Sequence, residues 1–330
     1  MAKTLSLLPC ELDDKWDDYI NSSPDLSIYS NKIFLENIKE KLGLYACYKG
    51  KELRAVVILV EDENSKNAIL NDYLIYSGIC FGPPTNNQTR SQQLSERHEI
   101  TVFIIKELAN IYDSFKFRLS PSVKDIRPFQ WHNYGMSSNR CLIDVRYTSY
   151  VNISDMKDTN SLDSINTYKN SSNSRRQQIR YAIRDKIKTK IYNDIEMFID
   201  FYRSNLTRQS VILDPSFYTN LATLIDRLMS NNKAKMYLSS NTLGEPSSIA
   251  IFGIDKLRAH YLYGASNPEL KLVTGGTAVL WDGFYDLARQ GIKEVDLEGV
   301  NSPKRGWFKL SFGGSLVPYY SIEYPNKTLS

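Results

Sequence analysis

The first half of the chain alternates between helical and strand-like hydrophobic patterns. Ile28, Phe34 and Leu35 fall on one face at the helical period and predict a helix after a turn at Pro24. The predicted elements are a helix within 24–40, a hairpin of strands 44–48 and 53–60, a strand over 73–81, an amphipathic helix over 98–112 and a short strand over 115–119. This half of the sequence therefore predicts one αβ unit.

The second half repeats that order. The predicted elements are helices over 194–205 and 215–231, a hairpin of strands 234–239 and 248–254, a strand over 258–264, a helix over 277–290 and a strand over 294–297. Gly291 lies just beyond the last of these helices, where glycine commonly follows a helix end. A further strand over 315–324 is predicted to pair back onto the first half.

Two successive copies of one order predict an α/β (α+β) fold built from two like units with mixed central sheets. Between the copies, Ser, Asn, Asp and Thr dominate residues 148–174 and the periodicity fades, which is typical of a junction. The predicted domains are therefore residues 1–150, completed by 315–330, and residues 151–314.

Composition narrows the possible functions only slightly. The chain has 330 residues, 42% of them hydrophobic and 24% charged, and a net charge of +4, which is too small to predict a DNA partner. Its cysteines and histidines lack metal-ligand spacing, so no metal is predicted. Neither a signal-peptide pattern nor an apolar run long enough to span a bilayer is present. A reduced cytoplasmic protein, with at most peripheral membrane contact, is predicted.

The most specific motif lies near the carboxy terminus. Residues 307–314, WFKLSFGG, match the FKxxFGG signature of the FemAB family, and residues 260–266, HYLYGAS, are similar to that family's YLYGAS strand. Residues 126–129 and the basic stretch 175–184 also resemble the family, so the resemblance covers nearly the whole chain. It implies two tandem acetyltransferase-type (GNAT-like) domains and transfer of amino acids or acyl groups to amino acceptors.

The acyl donor stays open between acyl-CoA and aminoacyl-tRNA, with no permanently bound cofactor. The sequence lacks the heptad run of family members that bind transfer RNA with a coiled-coil arm. It also departs from the coenzyme A pattern, because Leu272 and Thr277 flank Gly275 and Gly276. Gly275, Gly276 and Thr277 are predicted to bind the donor, since a helix N-terminus attracts phosphate. A tight turn that requires glycine explains the same residues equally well.

Basic residues supply the candidates for binding the acceptor. By resemblance, Lys309 binds the diphosphate of a nucleotide-linked sugar, beside Phe308, and a solvated lysine on a strand edge is the alternative. Arg176 and Arg180 share one helical face, opposite a predicted buried edge with Ile179 and Ile183, and this face either binds an anion or is simply solvated. The full predicted acceptor-binding set is Lys309, Phe308, Arg305, Arg176, Arg180, Arg208 and Tyr261.

Acyl transfer to an amine needs a group that takes a proton and a donor that stabilises the oxyanion. Asp296 and Glu298 stand at alternate positions at a strand end, so one of them is a candidate base, although a carboxylate capping the next loop fits equally. Tyr263 is the candidate that protonates the leaving group, with packing as the alternative. No GxSxG elbow or P-loop pattern occurs.

The leading prediction is a transferase that moves an acyl or aminoacyl group onto a primary amine of a nucleotide- or lipid-linked amino sugar or muropeptide, in cell-wall or surface-polysaccharide biosynthesis. A CoA-dependent N-acyltransferase acting on a small amine or amino acid is the first alternative. A non-catalytic binding protein with the same fold is the second, and an RNA-binding module, suggested only by the basic stretch 175–190, is the third.

Overall fold

The computed structural model describes residues 4–159, 161–270, 272 and 274–325, which fall into two compact units. Unit 1 comprises 4–146 and 318–325, and unit 2 comprises 147–317. The boundaries fall within two strands, β7 (Leu142–Asn152) and β13 (Ser315–Tyr324). The predicted domain limits at 150 and 314 stay a prediction, and residues 326–330 lie outside the described residues.

Unit 1 is an αβ unit with a mixed sheet. Its elements are β1 (Leu5–Pro9), α1 (Trp16–Ser22), α2 (Lys32–Leu35), β2 (Leu42–Lys49), β3 (Glu52–Glu61), β4 (Asn67–Ile69), β5 (Gly78–Phe81), α3 (Arg90–Ile111), β6 (Ser114–Arg118) and α4 (Arg127–Trp131). The strand order is β1-β2-β3-β4-β6-β13, and β5 also pairs with β3. The β4–β6 pair is parallel, whereas the other pairs within this unit are antiparallel.

Helix α3 closes the core of unit 1. Ile104 and Leu108 are fully buried in one cluster with Val57 and Leu59 of β3. Burial of one such side chain stabilises a fold by roughly 1.5–3 kcal/mol. The continuous burial of β3 from Arg54 to Glu61 and the helical spacing of buried residues along α3 agree with the strand and the helix predicted for these segments.

The strands of unit 2 also pair in a mixed parallel and antiparallel pattern. Its elements are α5 (Asn166–Asn170), α6 (Asn173–Arg184), β8 (Lys188–Ile191), α7 (Ile195–Thr207), α8 (Pro215–Ser230), β9 (Ala234–Ser240), β10 (Pro246–Ile254), β11 (Ala259–Ser266), α9 (Gly275–Arg289), β12 (Glu294–Asp296) and α10 (Pro303–Leu310). The strand order is β7-β12-β11-β10-β9-β8, and only the β11–β12 pair is parallel within this path. The predicted fold of two αβ units with mixed sheets is confirmed.

Aromatic residues from distant parts of the chain form the core of unit 2. The ring of Phe284 in α9 lies 6.1 Å from that of Phe252 in β10 and 5.7 Å from that of Phe312, which follows α10. All three side chains are fully buried. The second phenylalanine of the carboxy-terminal motif is therefore a core residue.

Several predicted elements differ in extent. The helix predicted within 24–40 is reduced to a 3-10 turn, Ile28–Ser30, and α2, because the Asn31 side chain caps α2 by accepting a hydrogen bond from the Ile33 N–H (3.1 Å). The predicted strand 73–81 starts only at Gly78. The junction 148–174 is partly structured, since it contains the end of β7 and all of α5. Among the described residues, no helix is both long and apolar enough to cross a membrane.

Candidate active site in unit 2

The parallel strands of unit 2 separate early. Strands β11 and β12 pair only at Ala259–Val295 and His260–Asp296, and β11 then continues to Ser266 alongside β10 alone. Ligands of open α/β sheets bind beyond the carboxyl ends of parallel strands. The gap that opens after His260 and Asp296 is therefore the candidate active site.

A buried group of charges lies at the point of separation. His260 is 1% exposed, and its Nε2 lies 2.7 Å from Oδ2 of Asp255. Its Nδ1 lies 3.5 Å from Oε1 of Glu298 and 3.8 Å from Oδ2 of Asp296. Three carboxylates thus surround one imidazole. In the described part of the chain, no set of three or more His, Cys, Asp or Glu side chains is arranged to hold a metal ion.

Electrostatics favours the charged form of this imidazole. Burial opposes a charge on His260, but the carboxylates of Asp255, Glu298 and Asp296 outweigh it and raise the pKa of His260 to about 10. Burial alone would raise the pKa of Asp255, but the charge and hydrogen bond of His260 lower that pKa below its ordinary value. The cluster is thus an imidazolium held by buried carboxylates.

The two predicted bases, Asp296 and Glu298, are in this cluster. The Asp296 carboxylate accepts hydrogen bonds from the Thr148 hydroxyl and from the Glu298 N–H (2.7 Å), and its side chain is fully buried. Glu298 follows the end of β12 with φ of 53°, which is unusual for a residue with a side chain. Both carboxylates reach His260, and the assignment of either as the base stays a prediction.

Lys309 lies beside the same turn. Its Nζ donates a hydrogen bond to the backbone carbonyl of Glu298 (3.2 Å) and lies 5.4 Å from the centre of the Tyr261 ring. Burial lowers the pKa of Lys309, although the negative charges of Glu298 and Asp296 oppose that effect. The structure therefore brings together Lys309, Tyr261, Glu298 and Asp296, four of the residues that the sequence predicted.

The rest of the carboxy-terminal motif holds α10 in place. Arg175, 6% exposed, lies between the rings of Phe308 and Phe312, each 4.4 Å from its guanidinium carbon. It donates hydrogen bonds to Ser311 (2.9 Å), Gln178 (2.7 Å) and Thr277. Burial lowers the pKa of Arg175 to about 10. Phe308, predicted to bind the acceptor, thus stacks on a buried arginine.

The glycines of the motif allow close packing of the backbone. A side chain at Gly313, whose φ is 77°, would overlap the backbone of Asn170, and one at Gly314 would overlap Ser149. Position 306 in α10 is similarly restricted by the carbonyl of Val300. The motif therefore fixes α10, and with it Lys309, against α5, β7 and the turn after β12.

The predicted donor-binding residues begin α9. Gly275 packs so closely on β10 that a side chain would overlap Ser247, whereas a Cβ at Gly276 would lie 3.9 Å from the nearest neighbour, the Ser248 hydroxyl. The Thr277 hydroxyl contacts Arg175 and donates to Gln178 (2.7 Å). Thr274, 8% exposed, makes no capping bond, and its buried hydroxyl has no hydrogen-bond partner among the described residues.

Aromatic residues follow along β11. The ring of Tyr263 lies 5.9 Å from that of Tyr202 and 6.3 Å from that of Phe198, both in α7. Tyr263 is partly exposed. A side chain at position 264 would overlap the Tyr261 hydroxyl, so glycine there leaves room for this ring. Tyrosines thus line β11 where it runs without β12.

The remaining predicted arginines lie on the surface or have other partners. Arg176 donates to Asn173, Arg180 donates to the Tyr168 hydroxyl (2.8 Å), and Arg305 donates to Gln209 (2.8 Å). Arg208 is exposed at the end of α7. Their assignment to acceptor binding stays a prediction, although Arg305 is near enough to Lys309 for its positive charge to help lower the pKa of Lys309.

Sequence reasoning missed His260, Asp255 and Arg175. The sequence contained one signal for the first two: a histidine in an otherwise apolar and aromatic strand, with an aspartate just before the turn that precedes it. Buried histidines of this kind require polar partners. Arg175 was recognised only as the start of the basic stretch 175–184, and its burial was missed because its partners Phe308, Ser311 and Phe312 lie in the carboxy-terminal motif.

Comparisons with known proteins agree with this architecture. Residues 173–305 match the family model described as an acetyltransferase (GNAT) domain. No curated protein sequence matches the chain.

Three solved structures are similar in fold. FemX has a TM-score of 0.60 at 12% identity, covering 96% of this chain and 96% of FemX. The carboxy-terminal domain of a putative lysylphosphatidylglycerol synthetase from Agrobacterium fabrum has a TM-score of 0.55 at 11% identity, covering 94% and 90%. A tandem GNAT protein from the clavulanic acid biosynthesis pathway has a TM-score of 0.54 at 10% identity, covering 99% and 100%. At these identities the likeness establishes the fold alone.

Together, the matched domain and the shared architecture confirm the predicted resemblance and enzyme class. The matched range runs from α6 to the first residues of α10, so it includes His260, Asp296 and Glu298 but not Lys309. Residues 173–305 are thus similar to acetyltransferase (GNAT) domains, and the chain has a FemX-like fold of two αβ units.

Proposed function

We propose that unit 2 transfers an acyl or aminoacyl group to a primary amine of a nucleotide- or lipid-linked amino sugar or muropeptide. The observation that carries this proposal is the early separation of β11 and β12, with the Lys309 ammonium and the Tyr261 ring at the point of separation. An extended donor fits beside the edge of β11 that β12 leaves without a partner strand after His260.

The N-terminus of α9 supports a donor that carries phosphate. Its first N–H groups lack a side-chain cap, Gly276 leaves the approach open, and the Thr274 hydroxyl has no partner within the described residues. Such a helix end binds phosphate through its N–H groups and its dipole. The GNAT match favours acyl-CoA, and aminoacyl-tRNA remains the alternative donor.

The reaction consists of amide formation. The amine nitrogen attacks the donor carbonyl carbon, the bond from that carbon to the thiol sulfur or ribose oxygen breaks, the amine loses one proton and the leaving group gains one. Lys309 stabilises the oxyanion or the acceptor phosphate, and Tyr263 supplies the proton to the leaving group. Glu298 is the better of the two candidate bases, since Asp296 is fully buried and already accepts bonds from Thr148 and Glu298.

The acceptor class follows from charge and from the neighbours in fold. A diphosphate or phospholipid headgroup complements Lys309 and the exposed cation Arg305. One neighbour in fold is a putative lysylphosphatidylglycerol synthetase, which supports a lipid-linked acceptor, and FemX supports the muropeptide alternative. The reaction is assigned to the cytoplasm.

Product analysis tests the proposal. The full chain is incubated with acyl-CoAs or aminoacyl-tRNAs and with UDP-amino sugars, lipid-linked amino sugars or small amines, and amide products are identified by mass spectrometry. We expect product from one donor class with a sugar-linked amine. Product only from small amines would favour the simple N-acyltransferase, and absence of product together with ligand binding would favour a non-catalytic binding protein.

A further inference from the structure

The turn after β12 is held in an unfavourable conformation by several contacts. Glu298 has a positive φ, for which a residue with a Cβ incurs a cost. The Leu297 N–H donates to the Ser149 carbonyl (2.9 Å), and the Val300 N–H donates to the Tyr147 carbonyl (3.1 Å). These bonds fix the two sides of the turn. The conformation of Glu298 between them decides where its carbonyl, the acceptor for Lys309, is directed.

His260 contacts the side chain at the centre of that turn. Its Nε2 is anchored on Asp255, which itself accepts bonds from the N–H groups of Leu257 and Arg258 (2.7 and 2.8 Å). Its Nδ1 faces Glu298 and Asp296. The imidazole therefore connects the turn before β11 with the turn after β12, on both sides of the gap.

The charge balance explains why an imidazolium occupies this position. Asp255, Asp296 and Glu298 are each 9% exposed or less. A buried carboxylate without a compensating charge is strongly destabilising. Arg258 directs its guanidinium to Glu294 (3.3 Å) and to the Tyr150 hydroxyl (2.6 Å), whereas His260 approaches all three buried carboxylates.

We propose that His260 is a positioning residue, which acts through Glu298 to hold the Lys309 ammonium at the mouth of the gap. This role rests on the proposed function, because Lys309 matters to turnover only if acyl transfer takes place there. The physical effect on Lys309 does not depend on turnover. Loss of the His260–Glu298 contact releases the Glu298 turn, frees the Lys309 Nζ toward water and raises the pKa of Lys309 to its ordinary value.

Two substitutions separate the two sides of the imidazole. His260→Gln places an amide nitrogen near the former Nε2 and keeps the bond to Asp255, whereas His260→Asn places one near the former Nδ1 and keeps the contact with Glu298. We expect His260→Gln to lower kcat about 10-fold or more with little change in the donor KM, and His260→Asn to keep most of kcat. The pKa of Lys309, followed through the 13Cε shift of labelled lysine, is expected to rise in His260→Gln and to change less in His260→Asn.

Asp255→Asn supplies the independent variant if a His260 variant does not fold. Asp255 anchors His260 and makes no described contact with Lys309, so a rise in the Lys309 pKa in this variant supports positioning through His260. An unchanged Lys309 pKa in folded His260→Gln and Asp255→Asn overturns the inference. An equal loss of kcat in His260→Gln and His260→Asn overturns it as well. If no donor and acceptor pair is turned over by the wild type, the proposed function fails, and the Lys309 titration still decides the positioning role.

Discussion

In both units a long helix follows a short run of strands, but the N-terminus of that helix is capped in unit 1 and uncapped in unit 2. In unit 1, α3 begins with a capping box, in which the Gln92 N–H donates to the Thr89 hydroxyl (3.3 Å) and the Thr89 N–H donates to the Gln92 side chain (2.8 Å). In unit 2, α9 begins with two glycines and no side-chain cap. A capped helix end has already satisfied its N–H groups, whereas an uncapped one is available to an anion.

The buried carboxylates of the two units also differ in whether their hydrogen-bond networks reach the candidate active site. In unit 1, Asp25 accepts bonds from the Phe81 N–H (3.1 Å) and the Ser122 hydroxyl (2.7 Å) and lies 3.5 Å from Arg97, which stacks on Phe81. The Asp25 carboxylate is therefore bonded and charge-compensated entirely by neighbours in unit 1. In unit 2, the network from Asp255 ends on the Glu298 turn and Lys309. In unit 1 the buried carboxylate is thus fully bonded within its own network. In unit 2 the corresponding network extends to Lys309, beside the gap between β11 and β12.

Replacement of Lys309 is the strongest test of this difference. Lys309→Ala removes the ammonium at the gap, and we expect kcat/KM to fall by about 100-fold, the usual cost of losing one group that stabilises developing charge. Lys304→Ala is the matched control, because Lys304 lies in the same helix and is exposed. Steady-state kinetics with the donor and acceptor identified by product analysis measure both. Equal activity of the two variants would remove Lys309 from the site.

Replacement of Arg175 tests whether this buried arginine stabilises unit 2. Arg175→Met keeps apolar contact with Phe308 and Phe312 but removes the hydrogen bonds to Ser311, Gln178 and Thr277. We expect a loss of about 2 kcal/mol in the free energy of unfolding, since several buried hydrogen bonds and two cation–π contacts disappear. Arg176→Met, at a neighbouring and less buried position, is expected to change stability little. Urea unfolding measures both, and similar midpoints would contradict a structural role for Arg175.

Local patterns were sufficient to predict most of the fold. The β2–β3 and β9–β10 hairpins contain turn glycines with positive φ, Gly50 and Gly244, between largely apolar strands, and α8 begins at Pro215 as the sequence indicated. Lys309, Tyr261, Glu298 and Asp296 were predicted because each lies in or near a recognisable motif or strand end. Contacts between residues close in sequence, or within one motif, leave such signals.

Contacts between residues far apart in sequence left no local signal from which they could be predicted. The helical pattern of α6 predicted a buried edge with Ile183, yet Ile183 is 59% exposed and Arg175 is buried. That exchange depends on Phe308 and Phe312, which lie far along the chain. His260 was given no role because its partners, Asp255 and Glu298, meet it only when β11 and β12 pair. Alternation along β12 predicted that Asp296 and Glu298 share a face, but Glu298 reaches the cluster through a turn with positive φ.

A carboxylate placed at each helix start compares the two units directly. Gly276→Glu adds a negative charge to the first turn of α9, where a Cβ has room, and we expect the KM for a phosphate-bearing donor to rise about 10-fold. Arg90→Glu makes the corresponding change in the first turn of α3 and should leave that KM unchanged. In both helices the new carboxylate interacts favourably with the helix dipole, so thermal stability should not fall. An unchanged donor KM in Gly276→Glu would place the donor phosphate elsewhere.

The pH dependence of stability provides the finest test. The pKa of His260 is raised from 6.5 in the unfolded chain to about 10 in the native state, so between these values the native state binds the additional proton. Stability from this group is complete below pH 6.5 and is lost as the pH rises toward 10, with a slope of at most about 1.4 kcal/mol per pH unit.

Other charged groups surround the imidazole, and their contributions to stability must be separated from that of His260. Asp255, Asp296 and Glu298 face the imidazole, and Lys309, whose pKa is lowered, contributes with the opposite sign near the upper limit. The informative quantity is therefore the difference between the wild type and His260→Asn in urea unfolding at a series of pH values. We expect the wild type to lose its advantage as the pH rises from 7 to 10. A difference that does not change with pH would mean that His260 is neutral, and the carboxylates would then require another source of compensation.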